Sequence, residues 1–160
     1  MHLIFGGYAQ GRLSYALKTY HKNRADVFDC AARPLSEWNG QTILYHLEAL
    51  VSQSLQQNKA PLTLLQETVP NWQDCILITQ EVGCGLVPIS AEDRKWREAV
   101  GRMNAQLAAQ AETVERIFCG LSMQLRTGSQ PLQGFVLAGA LYGVSCWIFF
   151  SASRIGCRIR

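Results

Sequence analysis

Apolar residues along this chain fall in short runs separated by stretches with helical spacing. The first run, His2 to Phe5, is a short strand ended by Gly6 and Gly7. Helical spacing follows from Leu13 to Tyr20, and Asp26 to Phe28 is a candidate second strand. Ala31 to Asn39 is turn-like. Between Gln41 and Gln56, apolar residues at Ile43, Leu44, Leu47, Leu50, Val51 and Leu55 recur with a helical period, so a helix is expected there. Pro61 opens a shorter helix that runs to Val69. Cys75 to Thr79 reads as a buried strand, Ala91 to about Ala111 as an amphipathic helix, and Thr113 to Arg126 as a hairpin or two successive strands. Strand, helix, strand, helices, strand, helix, strand is the order of an α/β fold with a mostly parallel sheet flanked by helices.

The pattern changes after Arg126. Residues 127–133 are linker-like, and Phe135 to Ala152 gives 18 residues without a charge, followed by the basic Arg154, Arg158 and Arg160. A run of that length is at the lower edge of what spans a bilayer, with its basic flank on the cytoplasmic side. The expected organisation is therefore a body of residues 1–126 and a tail of residues 127–160 holding an extra apolar helix. That tail is a membrane-associating segment, a foreign or packed appendage, or the product of an altered reading frame.

Two stretches carry candidate chemistry. Gly6, Gly7, Tyr8, Ala9, Gln10, Gly11, Arg12 and Leu13 lie between the first strand and the first helix. In that place main-chain N–H groups can wrap phosphate oxygens. The Gly6-to-Gly11 spacing is that of a P-loop, but Arg12 stands where lysine is expected and Leu13 where a magnesium-binding hydroxyl is expected. Arginine keeps the charge on a bulkier planar fork. Ser14 is turned about 100° further round the helix. The second stretch runs from Cys75 to Ala108. Its strand leads into Glu81, then a loop with Gly83 and Gly85, then a helix with Arg94, Arg97 and Arg102. A carboxylate at the carboxyl end of a buried strand, followed by glycines and arginines, is how α/β proteins build phosphate and metal sites.

The second stretch, with Thr79, Gln80, Glu81, Val82, Gly83, Gly85, Val87 and Pro88 and then Gly101, Arg102 and Asn104, resembles the adenosylcobinamide kinase/adenosylcobinamide-phosphate guanylyltransferase family. The resemblance covers about residues 1–125. It implies a P-loop NTPase-like fold in which Gly6 to Leu13 hold ATP or GTP and Glu81 acts through Mg2+ in a Walker-B-like role. It also implies that Gly83, Arg97 and Arg102 assist at the phosphates, and that the substrate is the hydroxyl of cobinamide. An oligomer is expected on the same ground. The family's guanylyl carrier is a histidine shortly before an Arg-Pro. Here Asp29 stands at that place before Arg33 and Pro34, which argues against guanylyl transfer.

Asp29 and Asp26, at the end of the second strand, are candidates for a base toward the hydroxyl or for turn formation. His46 reads as a structural histidine on the 41–56 helix. The helix arginines equally suit pairing with Glu92, Asp93 and Glu98 on a solvated face. The leading expectation is a small-molecule kinase. The rival is a catalytically degenerate nucleotide- or corrinoid-binding protein, motivated by Arg12.

Charge and cysteines narrow the partners. The net charge of +3 comes from the three tail arginines, since basic and acidic residues balance up to Arg126. No basic face with interleaved aromatics is present, so nucleic acid is not an expected partner. The six cysteines are irregularly spaced, with no C-x-x-C pair to suggest zinc. Cys75 and Cys119 read as small buried hydrophobes, and Cys84 as a loop residue with nothing to activate it. The amino terminus lacks a basic signal-peptide region, so a cytoplasmic location is expected.

Overall fold

The structure is a computed structural model that describes residues 1–83, 85 and 88–128. The Phe135–Ala152 segment, the helix expected for it and Cys84 lie outside the described residues. Among the described residues, no helix is long and apolar enough to cross a membrane.

Six strands among the described residues form one sheet: β1 (His2–Gly6), β2 (Val27–Asp29), β3 (Ile43–Tyr45), β4 (Ile76–Gln80), β5 (Thr113–Phe118) and β6 (Leu121–Thr127). Their spatial order is β2-β3-β4-β1-β5-β6. All neighbours are parallel except β5 and β6. The helices are α1 (Arg12–Thr19), α2 (Glu48–Gln56), α3 (Pro61–Thr68) and α4 (Ala91–Gln110).

Successive side chains of a strand leave on opposite faces, and here both faces are covered. Leu3 packs with Phe28, Leu44, Leu77 and Val114 against apolar residues of α2, α3 and α4. Its neighbour Ile4 packs with Ile43, Ile76, Ile78 and Ile117 against Ala16 of α1. Double burial explains why β4 reads as an unbroken apolar run.

The expected helix over 41–56 is corrected. Ile43–Tyr45 is a strand, paired with β2 at Val27 and with β4 at Ile76, and the helix begins only at Glu48. Leu44 from the strand and Leu47, Leu50 and Val51 beyond it all enter the same core. Their spacing therefore mimics one helix face. His46 breaks the run with a φ of 54°, in the left-handed region that few non-glycine residues occupy. Asp26 precedes β2 instead of ending it, and its carboxylate accepts the Asn23 N–H at 2.9 Å as a local cap. It sits at the opposite edge of the sheet from the glycine loop. Cys119 is exposed, not buried. With Gly120 it forms the two-residue turn between β5 and β6, both at positive φ (51° and 78°), the backbone that matches strand twist in a hairpin.

β1 lies between β4 and β5, so the loop leaving its carboxyl end opens beside segments distant in sequence. Such an edge is where open α/β sheets hold ligands. A Cβ on Gly6 would strike the Ile117 carbonyl of β5. Gly6→Ala should therefore push β5 from β1 and cost about 1–3 kcal/mol, as overpacking does. Urea unfolding of the variant against the native chain measures it.

Candidate functional site

The loop between β1 and α1 is shaped by Ala9 (φ 56°) and Gly11 (φ 80°), both left-handed. Gln10 anchors it to the β5–β6 turn: its side-chain Oε1 accepts the Cys119 N–H at 2.6 Å and its carbonyl accepts the Gly120 N–H at 3.1 Å. Tyr8 at the tip is exposed. No side chain caps α1, whose first-turn N–H groups are thus donors an anion can use. A groove of about 680 Å3 lined by Gly11, Ser14, Lys18, His21 and Ser122 borders the same loop.

Arg12, at the start of α1, is almost fully buried, and its Nη1 donates to the Thr79 carbonyl at the end of β4. The guanidinium ties α1 to β4. Next to Thr79, the Gln80 N–H donates to Glu48 Oε2 at 2.9 Å, which gives that buried carboxylate a partner.

Glu81 follows directly. Its N–H donates to the Gly6 carbonyl at 2.9 Å, which holds the end of β4 against the end of β1. Its Oε2 accepts both Nε (3.0 Å) and Nη2 (2.9 Å) of Arg116 on β5. Arg116 is a residue that sequence reasoning missed. Nothing local marks it within β5, and only the β1–β5 pairing sets it opposite Phe5 and next to the glycine loop.

The arginine helix contributes differently from residue to residue. Asn104 Nδ2 donates to the Gln80 carbonyl at 3.2 Å, while its Oδ1 accepts the Thr79 hydroxyl at 3.0 Å. Arg97 Nη2 donates to the Gly83 carbonyl at 3.1 Å, and Arg94 Nη1 donates to the Pro88 and Ile89 carbonyls. Arg94, Arg97 and Asn104 share one face of α4, so the Gln80, Gly83, Pro88 and Ile89 carbonyls are held from that face. Arg102 is not brought to this group; it is two-thirds exposed and pairs with Glu98 at 3.2 Å. A cavity of about 310 Å3, lined by Leu3, Phe5, Val82, Arg97 and Asn104, lies beside Glu81.

Asp29 ends β2 at the same edge of the sheet. Its Oδ1 accepts the Ala31 N–H at 3.0 Å, closing a turn, and also meets His46 Nδ1 at 2.9 Å. The His46 ring lies over Tyr45, with centroids 3.7 Å apart. Burial raises the Tyr45 hydroxyl above its ordinary range, an effect opposed by Arg12 and reinforced by Asp29, Glu48 and Tyr8. The Cys30 thiol is pushed up to about 12 by burial, then by the charges of Asp29 and Glu48. Arg12, Asp29, Tyr45 and Glu48 thus share one electrostatic neighbourhood beside the loop. Among the described residues, no three His, Cys, Asp or Glu side chains converge as a metal cluster.

A protein-family model described as cobinamide kinase / cobinamide phosphate guanyltransferase matches residues 9–125. The chain is 36% identical over 66 residues to the bifunctional adenosylcobalamin biosynthesis protein CobU of Escherichia coli (strain K12), covering 39% of this chain and 36% of that protein. It is 37% identical over 51 residues to the protein of the same name from Salmonella typhimurium (strain LT2), covering 32% and 28%. The matched stretches span about a third of the length of these curated relatives.

Two outcomes follow from this geometry. Asn104→Ala strips partners from the Thr79 hydroxyl and the Gln80 carbonyl, and should cost about 1–3 kcal/mol in chemical denaturation. For Cys30, the folded thiol stays protonated up to about 12, whereas an unfolded thiol ionises near 9.0. Its contribution to stability is therefore complete below the unfolded value and is lost as pH rises toward the folded one. At pH 8, peptide mapping after brief thiol alkylation should find Cys119 modified and Cys30 untouched.

Proposed function

The chain belongs to the cobinamide kinase / cobinamide phosphate guanyltransferase family, and from that membership we propose that it transfers the γ-phosphoryl group of ATP or GTP to the hydroxyl of adenosylcobinamide, in cobalamin biosynthesis. The observation that carries this reading is the docking of Glu81 on Gly6. The main-chain bond of 2.9 Å sets a carboxylate beside a glycine loop at the carboxyl end of the central strand. Phosphoryl transfer asks a protein chiefly to position its reactants and neutralise charge, and the parts at this edge suit that task.

In this reading Gly6 and Gly7 turn the chain out of the sheet and the main-chain N–H groups of Tyr8, Ala9, Gln10, Gly11 and Leu13 face the phosphates, with the bonds from Gln10 to the β5–β6 turn holding the loop in place. Arg116 orients Glu81. Magnesium in nucleotide sites is often held by one or two carboxylates together with phosphate oxygens, so Glu81 alone suffices as the protein's ligand. When bound, the ion neutralises charge developing on the phosphates. Arg97 keeps the Gly83 loop in place rather than reaching the nucleotide. Residues 1–126 form the nucleotide-binding unit. Guanylyl transfer is not part of the proposal, because Asp29 stands where the family's histidine is expected.

A second reading, nucleotide or corrinoid binding without catalysis, has one observation in its favour. Arg12 is turned inward onto the Thr79 carbonyl. Incubation of the full chain with cobinamide and γ-labelled ATP or GTP separates the two. Label should appear in cobinamide phosphate, and Glu81→Gln should lower the rate by about 10²–10³-fold, the scale of losing one electrostatic group at a reacting centre. Nucleotide binding by calorimetry with no labelled product would reject the kinase and leave the binding protein. Arg12→Lys producing activity that the native chain lacks would identify a degenerate enzyme.

A further inference from the structure

His46 combines three features that a structural histidine on a helix would not show. It sits between β3 and α2 at the carboxyl edge of the sheet, it holds a left-handed backbone (φ 54°), and its Nδ1 meets Asp29 Oδ1 at 2.9 Å. Left-handed conformations in non-glycine residues cost free energy and persist where the surroundings enforce them. Here the enforcing contacts are the Leu47 N–H on the Ile78 carbonyl at 3.1 Å and the Asp29 carboxylate on the adjacent strand. A carboxylate can only accept, so the shared proton belongs to Nδ1 and the neutral ring presents Nε2 as an acceptor. The side chain remains 28% exposed.

We propose that His46 is the general base for the acceptor hydroxyl in the phosphoryl transfer, with Asp29 as its positioning residue. This rests on the kinase reading above. β3 is two strands from β1, about 10 Å at ordinary sheet spacing. An acceptor hydroxyl at Nε2 and a phosphate at the glycine loop would thus lie along the same carboxyl edge of the sheet. Arg12 from α1, bonded to the Thr79 carbonyl at the end of β4, also acts on Tyr45, whose ring lies against His46. In the step, the bond from acceptor oxygen to Pγ forms as the bond from Pγ to the β–γ bridging oxygen breaks. The bridging electron pair leaves with the nucleoside diphosphate. The hydroxyl proton passes to Nε2 and then to solvent. Asp29 on β2 and Tyr45 on β3 touch the imidazole, and the charged groups that act on Tyr45 beside it are Arg12 on α1, Asp29 and Glu48 on α2.

The test uses the full chain and the variants His46→Gln and Asp29→Asn, with nucleotide binding measured by calorimetry. Single-turnover rates of γ-phosphoryl transfer to cobinamide and to water are followed across pH. The native rate should rise with pH, as general-base catalysis requires a base free to accept the proton. His46→Gln should bind nucleotide as before, lose about 10²–10⁴ in rate and lose that rise. Asp29→Asn should lower the plateau while keeping the rise. A His46→Gln rate and pH profile equal to native overturns the base and leaves the kinase standing. Hydrolysis by water that depends on His46, without transfer to cobinamide, supports the base and overturns the substrate. Bound nucleotide with neither reaction overturns both. Should His46→Gln fail to fold, nitrogen NMR of the native imidazole decides: Nδ1 protonated with Nε2 bare supports the proposal, and the opposite tautomer overturns it.

Discussion

Gly6 is held by main chain on both sides. Its carbonyl accepts the Glu81 N–H at 2.9 Å, and its Cα approaches the Ile117 carbonyl so closely that no side chain fits between. Everything at the carboxyl edge takes its place from this constriction. With β4 and β5 drawn against β1, residues at and just beyond the strand ends converge without needing long loops. Glu81 from one neighbour and Arg116 from the other meet across the end of β1. The glycine loop leaves from the same point, with Gln10 fastening it to the turn after β5.

Close packing of strand ends creates a second requirement, because buried polar groups must be paired. Arg12, Glu48, Thr79 and Asn104 meet it among themselves and with the main chain around Thr79 and Gln80. Each such bond contributes only about 1 kcal/mol net, while leaving one unmade costs more. This changes the meaning of the residues that carried the family resemblance. Asn104 and Arg97 act first on backbone carbonyls, and Arg94 does the same further out. The pattern is that of a loop clamp whose product is a fixed Glu81.

The same edge extends across β4 to β3 and β2, where Asp29 and His46 face each other. Asp29 was a candidate base by its position at a strand end. The structure gives it two acceptor tasks, a turn N–H and an imidazole, which suits orienting a base better than being one. The glycine loop and the imidazole lie on one edge of the sheet because β3 and β1 are both neighbours of β4.

By itself the sequence determined the fold class, the glycine loop, the strand leading into Glu81, the long helix and the hairpin. Each rests on local signals: unbroken apolar runs for doubly covered strands, helical spacing, and glycines at positions of positive φ. It misread residues 41–56, since a three-residue strand and the helix after it feed one core and together imitate a single helical face. It could not separate Arg102, which faces solvent, from Arg97, which holds the Gly83 carbonyl, because only packing against the sheet assigns the faces of α4. Arg116, Glu48 and the pairing of Asp29 with His46 carried no sequence signal at all. Their partners lie 35, 32 and 17 residues away. Only the order in which parallel strands are laid side by side brings such residues to one edge, so the tertiary structure decided the site.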